Sequence, residues 1–328
     1  MVSTCLWLRL VPAFRRIGCR LEMNPGRDKE VAMSTLRLPT TPRMQAPSIA
    51  RREAIPGIGL LALAAGMAVA TLLGPLGLGV ITFAVSESAE TQLLGGEIVT
   101  ILLAIPLAIA AGVLTLRGHP RASMLAAGPG IYAAYMYTQY VLAPDFTQYE
   151  GNSERAFPLY LALVLGGWLL AAHSWFTVGD FGIDRRLSRT IGSLQVTINT
   201  LFAFAWIASI VPIVAGRDPG SAYHADPTLF WLVRLMDMSF VIPLGLLTGI
   251  ALLRHHPAAS RIVAVWLGAQ TLLVSAVSGM AWMMLIRNDP ESNPVFLVAT
   301  TTIALAFIAV SVLVWRRAQN PARTVTFS

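Results

Sequence analysis

The sequence predicts an all-α transmembrane protein, an eight-helix bundle made of two parallel four-helix repeats. Three observations lead to this fold class. Hydrophobic residues make up 55% of the 328 residues and charged residues only 12%, about half the share of a typical soluble domain. Eight segments have the length and apolar composition of membrane helices, and part of the first half recurs in the second. The composition excludes a soluble globular enzyme, a disordered chain and a disulfide-stapled scaffold.

Residues 1–54 are predicted to form a basic, mostly disordered cytoplasmic tail. They hold ten of the 24 basic residues, four of the 17 acidic residues and both cysteines. Residues 6–17 have the composition of a short interfacial helix, and a translation start at Met33 or Met44 is an equally good interpretation. Such charge favours anionic lipid headgroups over nucleic acid. Because the membrane body has no cysteine, neither a disulfide nor a thiolate metal site is expected there.

The rest of the chain contains eight apolar segments of the length a membrane helix needs, about 20 residues at about 1.5 Å rise each. The predicted spans are residues 57–83, 92–116, 122–142, 157–178, 191–215, 228–253, 262–286 and 294–315. They divide into a first four-span repeat at 55–185 and a second at 186–317. A cytoplasmic C-terminal tail follows at 318–328.

Basic residues are divided unequally between the two sets of loops. One set, together with the termini, carries twenty of the 24 basic residues, whereas the other set carries three basic and nine acidic residues. Loops rich in arginine and lysine stay on the cytoplasmic side of a membrane. The sequence therefore predicts a multi-pass protein of the plasma (inner) membrane with both termini in the cytoplasm.

A shift of 137 residues aligns residues 105–123 with residues 242–260, with ten identities in nineteen positions. The shared residues include an Ile-Pro-Leu motif and an Arg-x-His-Pro turn. An even number of spans separates the two stretches, so the halves would share one orientation around a pseudo-twofold axis along the membrane normal. Secondary transporters with parallel repeats are built in this way. The duplication is equally compatible with architectural history alone.

Four prolines at matching positions are candidate helix kinks, because proline leaves the carbonyl one turn earlier without its backbone donor. They are Pro75 and Pro106 in the first half and Pro212 and Pro243 in the second. Pro106 and Pro243 are expected to bend spans 2 and 6 around a shared cavity. Proline is also simply common in membrane helices, which is the alternative explanation.

Three charged residues form the candidate site within the membrane: Glu97, Arg234 and Asp237. Counted from residue 228, Arg234 lies about 9 Å deep and Asp237 about 14 Å deep, where an unpaired charge costs about 2.5–3.5 kcal/mol. Their spacing places both on one face of span 6, where they can partly neutralise each other. The shift of 137 places Glu97 opposite Arg234. The cluster would bind an ion, a proton or a polar solute, or would join the halves as a buried salt bridge.

Other polar residues of the spans have simpler explanations. The outer tyrosines of span 3, Tyr135, Tyr137 and Tyr140, are expected in an interfacial aromatic belt, and the deeper Tyr132 needs a partner for its hydroxyl. Amides in spans 5 and 7 are expected to form interhelical hydrogen bonds. His173 is the single histidine within a span, so a bis-histidine haem is not expected. We predict no catalytic residue, metal or cofactor, because no corresponding motif is present.

Gly128 and Gly130 before the four tyrosines, and Asp237 five residues before the Ile-Pro-Leu motif, resemble a group of uncharacterised bacterial multi-pass membrane proteins over spans 2–7. The resemblance implies a membrane protein, but it indicates neither an activity nor any functional residues. The leading expectation is a small-solute or ion transporter-like protein with a site at the pseudo-twofold axis. The alternative is a non-catalytic membrane scaffold or accessory subunit of a partner complex, and an intramembrane enzyme ranks third. The expected partners are the lipid bilayer and a small solute or ion, with no nucleic acid.

Overall fold

Apolar helices dominate the part of the chain that the computed structural model describes, residues 49–179 and 181–318. No β-strand occurs within those two ranges. The predicted interfacial helix at 6–17 and almost all of both predicted tails lie outside the described residues. The first helix begins at Ile49, inside the predicted tail.

Eleven α-helices follow one another in the described ranges. They are α1 (Ile49–Leu73), α2 (Glu87–Val99), α3 (Ile105–Leu116), α4 (Ala122–Leu142), α5 (Phe157–Thr177), α6 (Arg185–Val214), α7 (Ser221–Ala225), α8 (Pro227–Met236), α9 (Ile242–Leu253), α10 (Ala259–Ile286) and α11 (Pro294–Arg317). A π-helical turn joins α2 to α3 at Thr100–Ala104, and a second joins α8 to α9 at Asp237–Val241.

Seven helical segments of the described chain are long and apolar enough to cross a membrane: Ala54–Leu73, Glu87–Leu116, Ser153–Thr177, Arg185–Val214, Pro227–Leu253, Ala259–Ile286 and Pro294–Arg317. The other predicted span, 122–142, forms α4 with the predicted bounds. Its glycines, tyrosines and single glutamine keep it out of this group. Fifteen of its 21 residues are buried, so its polar groups face other helices and not lipid.

Close glycine crossings hold α4 and α10 at the centre of the bundle. A Cβ atom added to Gly95 of α2 would lie 2.4 Å from the carbonyl oxygen of Gly279 in α10. At the contact of α4 with α10, a Cβ on Gly128 would lie 3.1 Å from the carbonyl carbon of Gly268. Small residues allow such close approach between membrane helices. The backbones of α2 and of α4 are therefore each in direct contact with the backbone of α10.

Gly95→Ala is expected to lower the free energy of unfolding by about 1–3 kcal/mol, because the added methyl group meets the backbone of α10. Gly166→Ala is the matched control, since a Cβ at Gly166 of α5 would meet nothing within 4 Å. Thermal unfolding of the two purified variants in detergent measures the difference. Equal stability of the two variants would contradict the close α2–α10 crossing.

Two of the predicted kinks, Pro106 and Pro243, each follow a π-helical turn. In each case the amide before the proline donates to the carbonyl five residues earlier, in place of the usual four. Because proline has no amide hydrogen, the regular α-helical ladder is interrupted at this place. Single π-helical turns of this kind are frequent at functional sites, and here one of them begins with Asp237.

The other two prolines stand near the ends of α1 and α6. Pro212 lies inside α6, shortly before the helix ends. Pro75 was predicted as a kink within a span, but α1 ends at Leu73 and Pro75 lies in the turn that follows. Glycine and proline together end a helix. The first span is therefore ten residues shorter at this end than predicted, and residues 74–86 form an irregular loop.

The two Arg-x-His-Pro turns have the same backbone structure. Each has a residue in the left-handed region, Gly118 at φ 64° and His255 at φ 51°, as at a helix C-terminus. In each turn the ring Nδ1 of the next residue, His119 or His256, accepts the amide of the residue two positions later at 3.2 Å. The same local hydrogen bonds thus hold both turns.

Candidate binding cavity

A cavity of about 360 Å³ lies among α2, α4, α6, α8 and α10. Its wall is mostly apolar. It reaches the outer loops, the predicted acidic set, at Ser86, Asp226 and Glu291 and extends inward as far as Asn199 and Gln270. A volume of this size fits the lower end of the range for small-molecule sites.

Asp237, the first residue of its π-helical turn, lines the cavity and is half-buried. The hydroxyl of Tyr135 on α4 donates to its Oδ1 at 2.5 Å, and the indole Nε1 of Trp206 on α6 donates to its Oδ2 at 2.9 Å. Both donors are neutral. The carboxylate is thus held by hydrogen bonds from two neighbouring helices, and its negative charge is not compensated by either of them.

Arg234 also lines the cavity. Its Nε donates to Ser209 Oγ at 2.9 Å, and its Nη1 donates to the carbonyl of Phe230 at 2.9 Å. The guanidinium carbon lies 4.7 Å from the ring centre of Trp206 and 3.1 Å from that of Phe230. Cation–π contacts of this kind stabilise a guanidinium where water is scarce. The contacts leave its positive charge without an acidic partner.

Arg234 and Asp237 form no direct ion pair, although their opposite charges attract each other across the cavity wall. Within the described ranges, the one ion pair at 4.0 Å or less joins His224 to Asp218 in an outer loop. Trp206 explains the separation, because its indole nitrogen binds the carboxylate while its ring face lies under the guanidinium. The backbone between the two residues is regular α-helix, because the amide of Asp237 donates to the carbonyl of Val233, so the separation follows from the partners of the two side chains and not from the helix geometry.

Glu97 lies apart from the other two charged residues. It is buried, and its Oε2 accepts the amide of Leu76 at 3.3 Å, in the loop after α1. It does not line the cavity. The structure thus brings Arg234 and Asp237 to one site and places Glu97 against the loop that follows α1.

Buried amides close the inner end of the cavity. Gln270 Nε2 of α10 donates to Asn199 Oδ1 of α6 at 3.2 Å, and Asn199 Nδ2 donates to Gln195 Oε1 at 3.1 Å. The three side chains Gln195, Asn199 and Gln270 are called the amide chain below. Two of their atoms, Gln270 Oε1 and Gln195 Nε2, are buried without a hydrogen-bond partner. Buried polar atoms are rarely left in this state, so Gln270 Oε1 is an unused acceptor on a residue that lines the cavity.

The tyrosines of α4 do not form an interfacial belt. Tyr137 and Tyr140 are buried and pack with Tyr160 and Phe83, with ring centres 5.0–6.4 Å apart. These four residues are called the aromatic cluster below. The hydroxyl of Tyr132 lies 2.7 Å from Thr100 Oγ1, which supplies its predicted need for a partner. The hydrogen bond from Tyr135 to Asp237 was not predicted. The available signal was the presence of four tyrosines around one helix, which indicates that the helix lies inside the bundle.

Hydrogen bonds between loops of the predicted outer set lie at the mouth of the cavity. The amide of Ser86 donates to both carboxylate oxygens of Asp226 at 3.2 and 3.1 Å, and the hydroxyl of Tyr149 donates to the carbonyl of Ala225 at 2.8 Å. In the same loop as Tyr149, bonds donated by Thr147 hold the pKa of Asp145 below its ordinary value. These contacts tie the first-half loops to the start of α8.

A smaller cavity of about 180 Å³ lies at the opposite end of the first half, where His119 and His173 line it. No group of three or more histidine, cysteine, aspartate or glutamate residues with metal-binding geometry occurs in the described part of the chain. The large cavity offers the carboxylate of Asp237 and the guanidinium of Arg234 in its wall, the carboxylates of Asp226 and Glu291 at its mouth, and neutral donors and acceptors.

A scan of protein-family models finds no match, and searches of curated proteins and of solved structures find none either. The fold and the cavity therefore define the class of protein by themselves. The chain is a multi-pass membrane protein whose described residues form an α-helical fold with seven membrane-competent helices. Its cavity contains a carboxylate and a guanidinium that form no ion pair with each other.

Proposed function

We propose that the chain crosses the membrane eight times and consists of two parallel four-helix repeats, with α4 as the eighth span. Two pairs of features at a shift of 137 residues support the repeat: the π-helical turns before the prolines and the Arg-x-His-Pro turns with their matching hydrogen bonds. The position of α4 supports its assignment as a membrane-spanning helix, because a helix surrounded by other helices needs no apolar outer surface.

The charge of the loops supports a plasma-membrane orientation with both termini in the cytoplasm. In this orientation the cavity reaches the outer side, where the acidic loops lie. Toward the cytoplasm, the cavity ends at the amide chain, and buried residues such as Ile198, Val263 and Leu267 pack below it. A cavity open on one side and closed by apolar packing on the other is the arrangement of an outward-facing transporter.

The function that this geometry favours is the binding of a small solute or ion by a transporter-like membrane protein. The observation that carries the proposal is the pair of charges in the cavity, Arg234 and Asp237, which are held by neutral groups and are not paired with each other. Charged groups inside a membrane are costly and usually serve a function. The alternative role, a scaffold or accessory subunit, predicts a dry seam between the halves and leaves this pair unexplained.

A comparison of the two proposed repeats supports a site in the second half. The shift of 137 aligns Tyr137 and Tyr140 with Val274 and Val277, which line the cavity. A shift of 136 aligns Tyr160 with Phe296, another wall residue. The aromatic cluster thus fills in the first repeat the space that valines leave open in the second.

Solute-dependent protection of a cysteine in the cavity wall tests the proposal. A variant without Cys5 and Cys19 carries Val277→Cys, and the purified protein is labelled with a polar thiol reagent in the presence of small solutes. We expect labelling that at least one solute slows. The control is Ala269→Cys on the same helix, which is fully buried outside the cavity and should stay unlabelled. An unreactive position 277, or labelling that no solute alters, would overturn the proposal.

A further inference from the structure

We infer that the solute is a zwitterion, a small molecule with an ammonium group, a carboxylate and an apolar body. This inference rests on the proposed function, since it names the solute class of the same cavity. It follows from the way in which Trp206 keeps Arg234 and Asp237 apart while leaving both in one wall.

Each charge in the cavity retains capacity for a partner of opposite sign. Asp237 receives two hydrogen bonds from neutral donors, and a carboxylate has room for further donors on each oxygen. Arg234 donates two hydrogen bonds to neutral acceptors and has five N–H groups in total. A zwitterion places its ammonium at Asp237 and its carboxylate at Arg234. A ligand with one charge satisfies one residue and leaves the other charge uncompensated in a site of low polarity.

The amide chain supplies an additional acceptor at the inner end. Gln270 lines the cavity, is 1% exposed, and has an Oε1 atom without a partner. An ammonium group has three donors, more than the carboxylate of Asp237 needs. This free acceptor favours a ligand that brings N–H groups into the cavity, independently of the charge argument.

The remaining wall suits an apolar body of variable shape. Phe202, Leu229, Met280 and Phe296 line it. Methionine adapts its side chain to irregular contacts, and aromatic rings supply large apolar area. The other acidic residues at the mouth, Asp226 and Glu291, lie in the outer loops and belong to the approach path, where Asp226 is already bonded to Ser86.

Two matched series of compounds test the solute class in the purified full-length protein. The first contains L-phenylalanine, phenethylamine and 3-phenylpropionate, and the second contains L-leucine, 3-methylbutylamine and 4-methylpentanoate. Within a series the apolar body is constant. The three compounds carry an ammonium group and a carboxylate, an ammonium group alone, or a carboxylate alone. Binding is measured by protection of Val277→Cys from labelling. We expect a zwitterion to bind at least about 30-fold more tightly than either singly charged analogue, as the loss of one buried charge partner predicts.

Variants at the two charges distinguish the partners. Asp237→Asn should reduce the affinity for the zwitterion to that for the carboxylate analogue, and Arg234→Gln should reduce it to that for the amine. Arg234→Lys keeps the charge and should restore part of the affinity, which separates the charge effect from misfolding. Protection by the amine alone, or by the carboxylate alone, would overturn the zwitterion and leave the solute-binding cavity intact. Protection by none of the six compounds, with protection by another solute, would overturn the zwitterion as well.

Discussion

The double substitution Val274→Tyr and Val277→Tyr is expected to abolish solute binding, with a loss on the order of 100-fold or more. It should also stop the labelling of a cysteine introduced at Met280. Both valines line the cavity on α10, and the proposed repeat aligns them with Tyr137 and Tyr140 of α4, which are buried in the aromatic cluster. The added rings enter an existing cavity, so the overpacking that usually destabilises a core should be small here.

The control for this double substitution is Val298→Tyr, which adds the same ring at a position of α11 that is 64% exposed. It should alter neither binding nor labelling. Thermal unfolding in detergent verifies that the double variant is folded. Unchanged binding by a folded double variant would contradict the position of the site, and it would also contradict the correspondence between cavity and aromatic cluster.

The reverse substitution, Tyr137→Val with Tyr140→Val, is expected to destabilise the protein strongly, on the order of 3 kcal/mol for each tyrosine. Both rings are buried, 2% and 5% exposed, and contact each other and Tyr160. Their removal leaves a cavity that the neighbouring helices cannot close, because glycine crossings already hold those backbones in contact. The unfolding temperature of each single variant and of the double variant measures the effect.

Phe204→Val serves as the matched control for the tyrosine variants. It removes an aromatic ring from a site on α6 that is 65% exposed, and should have little effect on stability. Equal destabilisation at Phe204 and at Tyr140 would show that the aromatic cluster is not a packed core element, and the comparison of the two repeats would then lose its basis.

Hydropathy predicts helix ends well where a span meets a polar turn, and poorly where apolar residues continue beyond the helix. The prediction for residues 122–142 matches α4 at both ends because turns with arginine or proline and aspartate flank it. The prediction for the first span extended to residue 83 because residues 76–83 are apolar. The structure ends α1 at Leu73, and the Gly-Pro pair directly after it was the available signal.

The sequence predicted two charged residues of the candidate site, but it did not predict the contacts that these residues make. Arg234 and Asp237 were identified because charges are rare in membrane spans, and both line the cavity. Glu97 was added by the repeat shift. The two aligned residues bind within their own halves of the chain, however, because Glu97 accepts from Leu76 in the loop after α1 and Arg234 donates to Ser209 in α6. The role of Trp206 could not be predicted from the sequence. A hydrogen bond between α6 and the π-helical turn joins two separate segments, so no regular spacing of residues indicates it.

Labelling of intact cells from outside measures whether the proposed cavity contains water and opens to the outer side of the membrane. Cells express the variant without native cysteines that carries Val277→Cys or Ala269→Cys, and a membrane-impermeant thiol reagent is added. The account predicts rapid labelling at position 277 and none at position 269. Labelling of position 277 only after the membrane is permeabilised, or no labelling in a folded protein, would contradict it.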